Sequence, residues 1–240
     1  MIVADSRTTI DIDHHSEMSP ALHGEPVFVA PATDQNAMAP EVRDIDAPPE
    51  ALEATAGRRS PAYLQRVFAR IDPLELRLVR GVARHGSRPA VLRLALFVNR
   101  LGDGWIYPLL ALVLVAAAGR RAIIPILAAT LSGLLAHAVF PFVKRYVGRQ
   151  RPFETDATLT VSALPLDKYS CPSGHAMTAA AVFLPCALAF PQLGPGLFAV
   201  WCLIGGVRIL LVHHYATDLL AGAALGLACG ALGSLLLIPN

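Results

Sequence analysis

The sequence predicts an all-α integral membrane protein, built as a helical bundle with about five transmembrane spans. Two observations support this fold class. The chain is 54% hydrophobic and only 16% charged, whereas soluble proteins usually carry about 25% charged residues. Its apolar residues are also concentrated after Arg100 in several long uncharged runs, which the core of a soluble helical protein rarely contains.

Residues 1–60 form the first of three predicted regions, a disordered acidic tail. Within residues 1–57, eleven acids face only two bases, so this stretch has a net charge of −9. It is rich in Pro, Ala, Asp and Glu and lacks helical or strand periodicity. Such a segment cannot bury enough apolar surface to offset its ordering entropy. The N-terminus lacks a basic stretch followed by an apolar one, so no cleaved signal peptide is predicted.

The second predicted region, residues 61–101, is basic and amphipathic. Residues 58–100 contain ten arginines and two acids, a net charge of +8. Apolar residues recur at three- and four-residue spacing over 62–84, which predicts a helix lying on a membrane surface, or two helices broken near Asp72-Pro73. The alternative is an amphipathic helix packed against the rest of the protein. Residues 89–100 continue as a short apolar helix.

The third predicted region, residues 102–240, is the membrane-embedded domain. A helix needs about 20 apolar residues to cross a bilayer, and polar or Pro/Gly-rich segments separate the uncharged runs. Five spans are therefore predicted: 103–119, 122–143, 174–190, 196–212 and 215–237. The last span carries Gly222, Gly226 and Gly230 at four-residue spacing. Such a stripe lets another helix approach closely, and we expect it to pack within the bundle.

Polar residues beside these spans cluster at one membrane surface. Spans two and three meet at one face of the membrane, and spans four and five meet at that same face. Polar residues at membrane spans are costly and usually functional. The residues that this topology brings together are Lys144, Arg151, Ser173, Gly174, His175, Arg208, His214 and Asp218.

This cluster has the chemistry of a phosphoryl site. Its three cations would repel one another unless an anion sits among them, and arginine binds phosphate through two parallel hydrogen bonds. A helix starts at Gly174, so backbone N–H groups there add to an anion site. His214 and Asp218, four residues apart, share a helix face, so the carboxylate can orient the imidazole for attack. His175 can then protonate a leaving oxygen.

Three motifs carry a resemblance to a known family. They resemble the three-part signature of the type 2 phosphatidic acid phosphatase and vanadium haloperoxidase superfamily, in its membrane lipid phosphatase branch. The chain has Val207 where the family usually has Ser, and Ala176 where it often has Thr. The motifs stand in this chain as Lys144-x6-Arg151-Pro152, Pro172-Ser173-Gly174-His175 and Arg208-x5-His214-x3-Asp218.

The resemblance implies a role for each motif residue. His214 would attack phosphorus and form a phosphohistidine, Asp218 would orient it, and His175 would be the general acid. No metal and no other cofactor is expected, because fixed cations would neutralise the phosphate. The groups that would hold the phosphoryl oxygens are Lys144, Arg151, Ser173, Gly174 and Arg208.

The predicted function is metal-independent hydrolysis of a lipid phosphate or diphosphate. Candidate substrates are polyprenyl diphosphate, phosphatidic acid and phosphatidylglycerophosphate. A lipid phosphotransferase using the same site is the alternative. A vanadate-dependent oxidant enzyme is disfavoured because such relatives are soluble, and an inactive scaffold because every charged motif residue is present. The expected partners are the lipid substrate and membrane lipids, without nucleic acid, and the oligomeric state is open.

The predicted location is a bacterial inner membrane, which the chain crosses several times. The sequence does not decide on which side of the membrane the active site lies. The basic stretch 58–100 favours the cytoplasm by the positive-inside rule, whereas Arg120 and Arg121 favour the opposite orientation. Resemblance to bacterial polyprenyl-diphosphate phosphatases suggests the outer face.

Structural roles can also be predicted for several polar residues outside the motifs. Asp103 is either a partner of a site cation or a helix cap. His137 is expected to be a hydrogen-bonded core histidine, with lining of the lipid cleft as the alternative. His213 is expected to be structural, and Arg145 and Arg149 to face headgroups or bulk phosphate. The four cysteines are expected to be small packing residues rather than ligands or disulfides.

Overall fold

The structure, a computed structural model, describes residues 60–237, and the predicted acidic tail lies outside these residues except for Ser60. All regular structure in the described part is helical. A short π-helical turn, Leu101–Trp105, precedes α3, and 3-10 turns precede α4 and α7. In chain order the helices are α1 Ala62–Gly86, α2 Pro89–Arg100, α3 Ile106–Ala118, α4 Ile123–Val147, α5 Pro152–Thr155, α6 Gly174–Ala189, α7 Gly194–Leu210 and α8 Ala216–Leu237.

Helix α1 is one continuous helix, so the predicted alternative of two helices broken near Asp72-Pro73 is wrong. Proline removes one backbone hydrogen bond, but contacts on both sides of it hold α1 in place. Leu76 and Val79 are buried in an apolar cluster with Val212 and Tyr215. The helix therefore packs against the rest of the protein, which was the alternative to a purely interfacial helix. Contact of its outer face with a membrane stays a prediction.

Helices α4, α6 and α8 form the centre of the bundle, and α6 and α8 are in the closest contact. The glycine stripe of α8 faces α6. A Cβ atom on Gly222 would lie 2.5 Å from the Ser173 carbonyl oxygen, and one on Gly226 would lie 2.1 Å from that of Met177. Both distances are far inside van der Waals contact, so only glycine permits this approach. The expectation that the stripe packs within the bundle is confirmed.

Three helical stretches are long and apolar enough to cross a membrane, namely residues 89–155, 191–210 and 216–237, and Gly174–Ala189 is a shorter apolar helix. The count of five spans is therefore not confirmed and stays a prediction. The first stretch combines several helices. It includes a turn at Gly119, whose positive φ of 55° requires a residue without a side chain.

The outward faces of these helices are apolar. Large hydrophobic side chains are more than half exposed on α3, α4, α7 and α8. Soluble proteins rarely leave such surfaces in contact with water, whereas a lipid environment accommodates them. Examples are Leu112, Leu134, Phe142, Phe198 and Leu220.

Candidate active site

The first motif lies where α4 ends. Lys144 is in the last turn of α4, and the helix stops at Gly148, which is in the left-handed conformation with φ 59° and ψ 27°. The chain then turns, and Arg151 precedes α5 with Pro152 at its first position, where proline's missing N–H costs nothing. Because the chain turns between α4 and α5, Lys144 and Arg151 both reach the same carboxylate, that of Asp167.

The second and third motifs are joined through their backbones. Ser173 precedes the first residue of α6, and its N–H donates to the carbonyl oxygen of Asp218 at 3.0 Å. Arg208 is in the last turn of α7, and its carbonyl accepts the N–H of His213 at 3.0 Å. Between α7 and α8, Val212 has a positive φ of 63°. This conformation is strained for a β-branched residue, and it forms the turn that presents His214.

The structure brings together the residues that the sequence analysis singled out. Arg151 Nη1 donates to the carbonyl oxygen of His213 at 2.5 Å, which places the first motif beside the third. His175 is the most accessible of the charged and titratable members, with its side chain 15% exposed. The buried members are Lys144, Arg151, Ser173, Arg208, His214 and Asp218. Burial of this many ionisable groups is costly unless they serve one another or a ligand.

His214 and Asp218 form the expected pair, but at a longer distance than a hydrogen bond. His214 Nδ1 lies 3.7 Å from Asp218 Oδ2. That oxygen already accepts the hydroxyl of Ser170 and the N–H of Tyr215, the latter at 2.8 Å. Burial lowers the pKa of His214 to about 3, although Asp218 acts in the opposite direction. The imidazole is therefore neutral, which is the form that can attack an electrophile.

Asp103 contacts a histidine of the site. Its Oδ1 lies 2.8 Å from Nε2 of His175, and among the described residues no side chain caps the π-helical turn or α3. Neither of the two expectations for Asp103, a partner of a site cation or a helix cap, is therefore confirmed. Asp103 lies in the π-helical turn before α3. The neighbouring Gly102 also faces the His175 ring, where a Cβ would lie 3.4 Å away, which is ordinary van der Waals contact.

Asp167 is a site residue that the sequence analysis did not identify. Its carboxylate forms ion pairs with Lys144 Nζ and with Arg151 Nη2, each at 2.5 Å. Partial burial opposes ionisation, but the two cations hold the pKa of Asp167 below its usual value. The anion that the converging cations require is thus present within the chain. A sequence signal existed, since Asp167 is an acid in the polar segment between spans two and three.

Arg149 does not face headgroups or bulk phosphate, so that expectation is wrong. Its side chain is 2% exposed, and its guanidinium binds the carboxylates of Asp72, Glu75 and Asp218. These partners come from α1 and α8, and the sequence alone does not show that those helices meet beside the end of α4. Arg208 has a further partner that sequence reasoning missed, the side-chain oxygen of Asn99 on α2.

The two remaining histidines near the site have structural contacts. His213 is buried, and its Nε2 bonds to the carbonyl oxygen of Ala163 at 2.6 Å, which is the structural role expected of it. His137 bonds through Nδ1 to the carbonyl oxygen of Gly133 at 2.9 Å and also lines the cavity described below. His137 is exposed and its bond stays within α4, so the expectation of a core histidine is wrong, and the alternative, a place in the cavity wall, is the one that the structure shows. The four cysteines are free thiols; Cys171 and Cys186 are buried, as expected of packing residues, whereas Cys202 is exposed.

Several buried polar atoms of the site have no hydrogen-bond partner among residues 60–237. They are Ser173 Oγ, Arg208 Nε, His213 Nδ1, His214 Nδ1 and Lys144 Nζ, of which Lys144 Nζ is ion-paired with Asp167. A buried polar group without a partner costs about 1–3 kcal/mol, so proteins retain such groups where a ligand completes them. An oxyanion suits two of these atoms, because the serine hydroxyl and the arginine N–H are donors. Within the same residues, no cluster of three or more His, Cys, Asp or Glu side chains could hold a metal ion.

A cavity of about 690 Å³ adjoins the site between α3, α4 and α6. At one end it is lined by Asp103, His175 and Asp167, and its walls are mainly apolar. Its volume is in the range of pockets that hold small molecules or one end of a larger ligand. A group attached to a phosphate in the site would enter this cavity beside His175.

The chain is similar to known proteins in sequence and in fold. Residues 121–238 match the PAP2 superfamily. The decaprenylphosphoryl-5-phosphoribose phosphatase of Mycolicibacterium smegmatis is 34% identical over 150 residues, which cover 60% of this chain and 78% of the relative. The lipid A 1-phosphatase of Rhizobium johnstonii is 35% identical over 99 residues, covering 40% of this chain. This second match spans only 39% of that relative's length.

Two solved structures share the fold. The crystal structure of Aquifex aeolicus LpxE superposes with a TM-score of 0.53 at 24% identity, covering 67% of this chain and 94% of that one. The PAP2 type phosphatidylglycerolphosphate phosphatase of Bacillus subtilis superposes with a TM-score of 0.52 at 19% identity, covering 72% and 92% of the two chains. At these identities the likeness concerns the fold alone.

Proposed function

Because the chain belongs to the PAP2 superfamily, we propose that it is a membrane phosphatase that hydrolyses a lipid-linked phosphate through a phosphohistidine at His214. The observation that carries this proposal is the set of buried, unpartnered atoms in the site. Among the described residues, Ser173 Oγ and Arg208 Nε are donors without an acceptor, and they belong to the second and third motifs, beside the Lys144 and Arg151 of the first. A phosphoryl group has the charge and the acceptor oxygens that these groups lack.

The first step is attack by His214 on phosphorus. Nδ1 is the ring nitrogen nearer Asp218, so Nε2 is the nitrogen that attacks. Its lone pair forms the P–N bond while the bond from phosphorus to the leaving oxygen breaks. The imidazole gains positive charge as this happens, and Asp218 stabilises that charge through the Nδ1 proton. The cations of the site hold the equatorial oxygens as their charge redistributes.

His175 supplies the proton that the leaving oxygen takes up. Its Nε2 is bonded to Asp103, which fixes the ring and leaves Nδ1 for the leaving group. In the second step, a water molecule attacks the phosphohistidine. Its oxygen bonds to phosphorus, its proton passes to His175, and the P–N bond breaks to release inorganic phosphate. His175 therefore acts as acid and then as base.

The substrate class follows from the cavity and the apolar surface. The cavity beside His175 receives the group that leaves, and its mainly apolar walls favour a lipid or the part of a headgroup next to it. Polyprenyl diphosphate, phosphatidic acid and phosphatidylglycerophosphate remain candidates. The names of two similar proteins extend the list of candidate substrates to lipid A and to decaprenylphosphoryl-5-phosphoribose. Five membrane crossings with the site at one surface of a bacterial inner membrane remain part of the proposal.

The experiment compares the purified protein with two histidine variants on a panel of lipid phosphates in detergent micelles. Wild-type protein releases inorganic phosphate, and His214→Ala loses at least about 1,000-fold in kcat, the scale expected when a nucleophile is removed. His213→Gln is the matched control, because it changes the adjacent buried histidine, whose side chain among the described residues bonds to a backbone carbonyl, and it stays within about 10-fold of wild type.

Two outcomes would count against the proposal. A His214→Ala variant that retains more than a few per cent of the activity would exclude the phosphohistidine. If the phosphate of the substrate is found on an added acceptor lipid, instead of in solution, the result would favour the phosphotransferase. Running each reaction with and without an acceptor lipid separates these two results.

A further inference from the structure

Arg149 is fully committed within a buried network. Its side chain is 2% exposed, and all five of its N–H groups have acceptors. Nη1 donates to Thr217 Oγ1 at 2.8 Å and to Asp218 Oδ1 at 2.6 Å. Nη2 donates to Asp72 Oδ1 at 2.5 Å and to Glu75 Oε2 at 2.6 Å, and Nε donates to Asp72 at 3.2 Å. Arginine is the residue that can meet so many acceptors in one plane.

Aromatic rings also hold the guanidinium of Arg149. Its central carbon lies 3.9 Å from the centroid of the Tyr215 ring and 4.7 Å from that of Phe68 on α1. Such cation–π contacts add to the hydrogen bonds when the charge is shielded from water. Lysine at this position would keep the charge but lose the planar shape and most of the donors.

This network fixes the carboxylate that serves His214. Asp218 is 0% exposed, and Arg149 is the charged donor to its Oδ1. Ser170 and the Tyr215 N–H hold the other oxygen. The plane of the carboxylate, and thus its direction toward the imidazole, depends on these contacts. An acid that orients a catalytic histidine must be held to within a fraction of an ångström.

Helix α1 completes the network from the other side. Glu75 accepts the backbone N–H of Thr217 at 2.8 Å and its hydroxyl at 2.6 Å. Thr217 is the second residue of α8, so Glu75 satisfies one of the free N–H groups at the start of the helix that carries Asp218. Helix α1 lies outside residues 121–238, which match the superfamily. It nevertheless contacts the site's orienting acid through a single bridging arginine.

We infer that Arg149, anchored by Asp72 and Glu75 of α1, is a positioning residue that holds Asp218 in the orientation His214 needs. This inference rests on the proposed function. Helix α1 then belongs to the catalytic unit and is more than a membrane-surface attachment. Arg149 does not touch the substrate in this account, because all of its donors are used within the protein.

The test compares Arg149→Lys and Glu75→Ala with Arg80→Gln in the full-length protein, using lipid phosphate in micelles. Arg80 is the matched control, since it joins α1 to the chain after α5 through Asp156 at 2.6 Å and does not contact Asp218. Arg149→Lys should lower kcat by about 10- to 100-fold with KM within about threefold, as expected when a supporting partner of a catalytic group is lost. Glu75→Ala should lower kcat by a smaller factor, and Arg80→Gln should leave it within about twofold.

A second measurement separates positioning from general stability. In Arg149→Gln the acid limb of the kcat/KM profile should move to higher pH. His214 would lose one nearby cation while Asp218, Asp72 and Glu75 remain, and a less positive surrounding eases protonation of the imidazole. Arg151 and Arg208 face His214 from other elements and are unchanged in this variant. Thermal unfolding of every variant shows whether lost activity follows lost folding.

Two results would overturn the inference. One is kcat within twofold of wild type in Arg149→Lys, and the other is an equal loss in Arg80→Gln, which would indicate a general effect of loosening α1. Failure of the proposed function itself looks different, because wild-type protein would then release no phosphate or His214→Ala would remain active. If wild-type activity depends on His214 but not on Arg149, only this inference is wrong.

Discussion

Replacing Asp167 with asparagine should strengthen the binding of inorganic phosphate. The Asp167 carboxylate is paired with Lys144 and Arg151, and the backbone carbonyl of Asp167 accepts two further N–H groups of Arg151. An incoming phosphate must compete with this carboxylate for both cations. Asparagine keeps nearly the same shape and removes the competing charge.

The magnitude follows from the two ion pairs. At 2.5 Å each pair has a gross Coulomb energy of about 6–7 kcal/mol in a medium of effective dielectric constant near 20. Most of this is cancelled by desolvation, and the Asp167 side chain is 38% exposed, so solvent screens it further. Partly exposed pairs retain at most about 1 kcal/mol each. Two pairs therefore give about 1–2 kcal/mol, or roughly 5- to 30-fold in affinity.

The assay is inhibition of lipid phosphate hydrolysis by added orthophosphate. The inhibition constant should be roughly 5- to 30-fold lower in Asp167→Asn than in wild type. Asp156→Asn is the control, because this acid pairs with Arg80 outside the site, and it should leave the constant unchanged. An unchanged constant in Asp167→Asn would refute the competition. A higher constant would mean that Asp167 instead holds the cations in place for phosphate.

Three further predictions concern the site and the bundle. Orthovanadate should inhibit more strongly than phosphate, because five-coordinate vanadate copies the transfer state, and Arg208→Ala should remove this advantage; equal inhibition by both ions in wild type would contradict it. Gly226→Ala should lower the unfolding temperature by several degrees, since its Cβ would lie 2.1 Å from the Met177 carbonyl oxygen. Gly206→Ala should not lower it, because nothing lies within 4 Å of a Cβ at that position. Equal changes in unfolding temperature in the two variants would refute the close packing of α8 against α6. Activity should persist in excess EDTA, because fixed cations neutralise the phosphate, and loss of turnover restored by Mg²⁺ would show that an ion takes part.

The sequence predicted the helical bundle and the motif cluster because both depend on local patterns. Uncharged runs of residues mark the apolar helices, and the predicted order of spans would bring Lys144, His175 and His214 to one surface whatever the packing details. The glycine spacing in α8 predicted close packing for a similar reason, since four-residue spacing places Gly222 and Gly226 on one face.

The partners of these residues could not be predicted in the same way. The sequence pattern does not distinguish Arg149 from a surface arginine, because only the docking of α1 against α8 surrounds it with carboxylates. Asp167 lies in an irregular segment where no periodicity fixes the direction of a side chain. Whether Asp103 pairs with a site cation, caps a helix or contacts His175 depends on how the π-helical turn before α3 packs beside α6. Charge contacts between distant segments require the tertiary structure.

The most direct test of the account is a search for phosphate on His214 during turnover. Wild-type protein is mixed with substrate labelled in the phosphate that is removed, quenched within one turnover, and digested for peptide mapping. The account predicts an acid-labile, alkali-stable label on His214, formed at a rate no slower than kcat and absent from His214→Ala. Label on another residue, or single-turnover hydrolysis at the full rate without labelled protein, would contradict it.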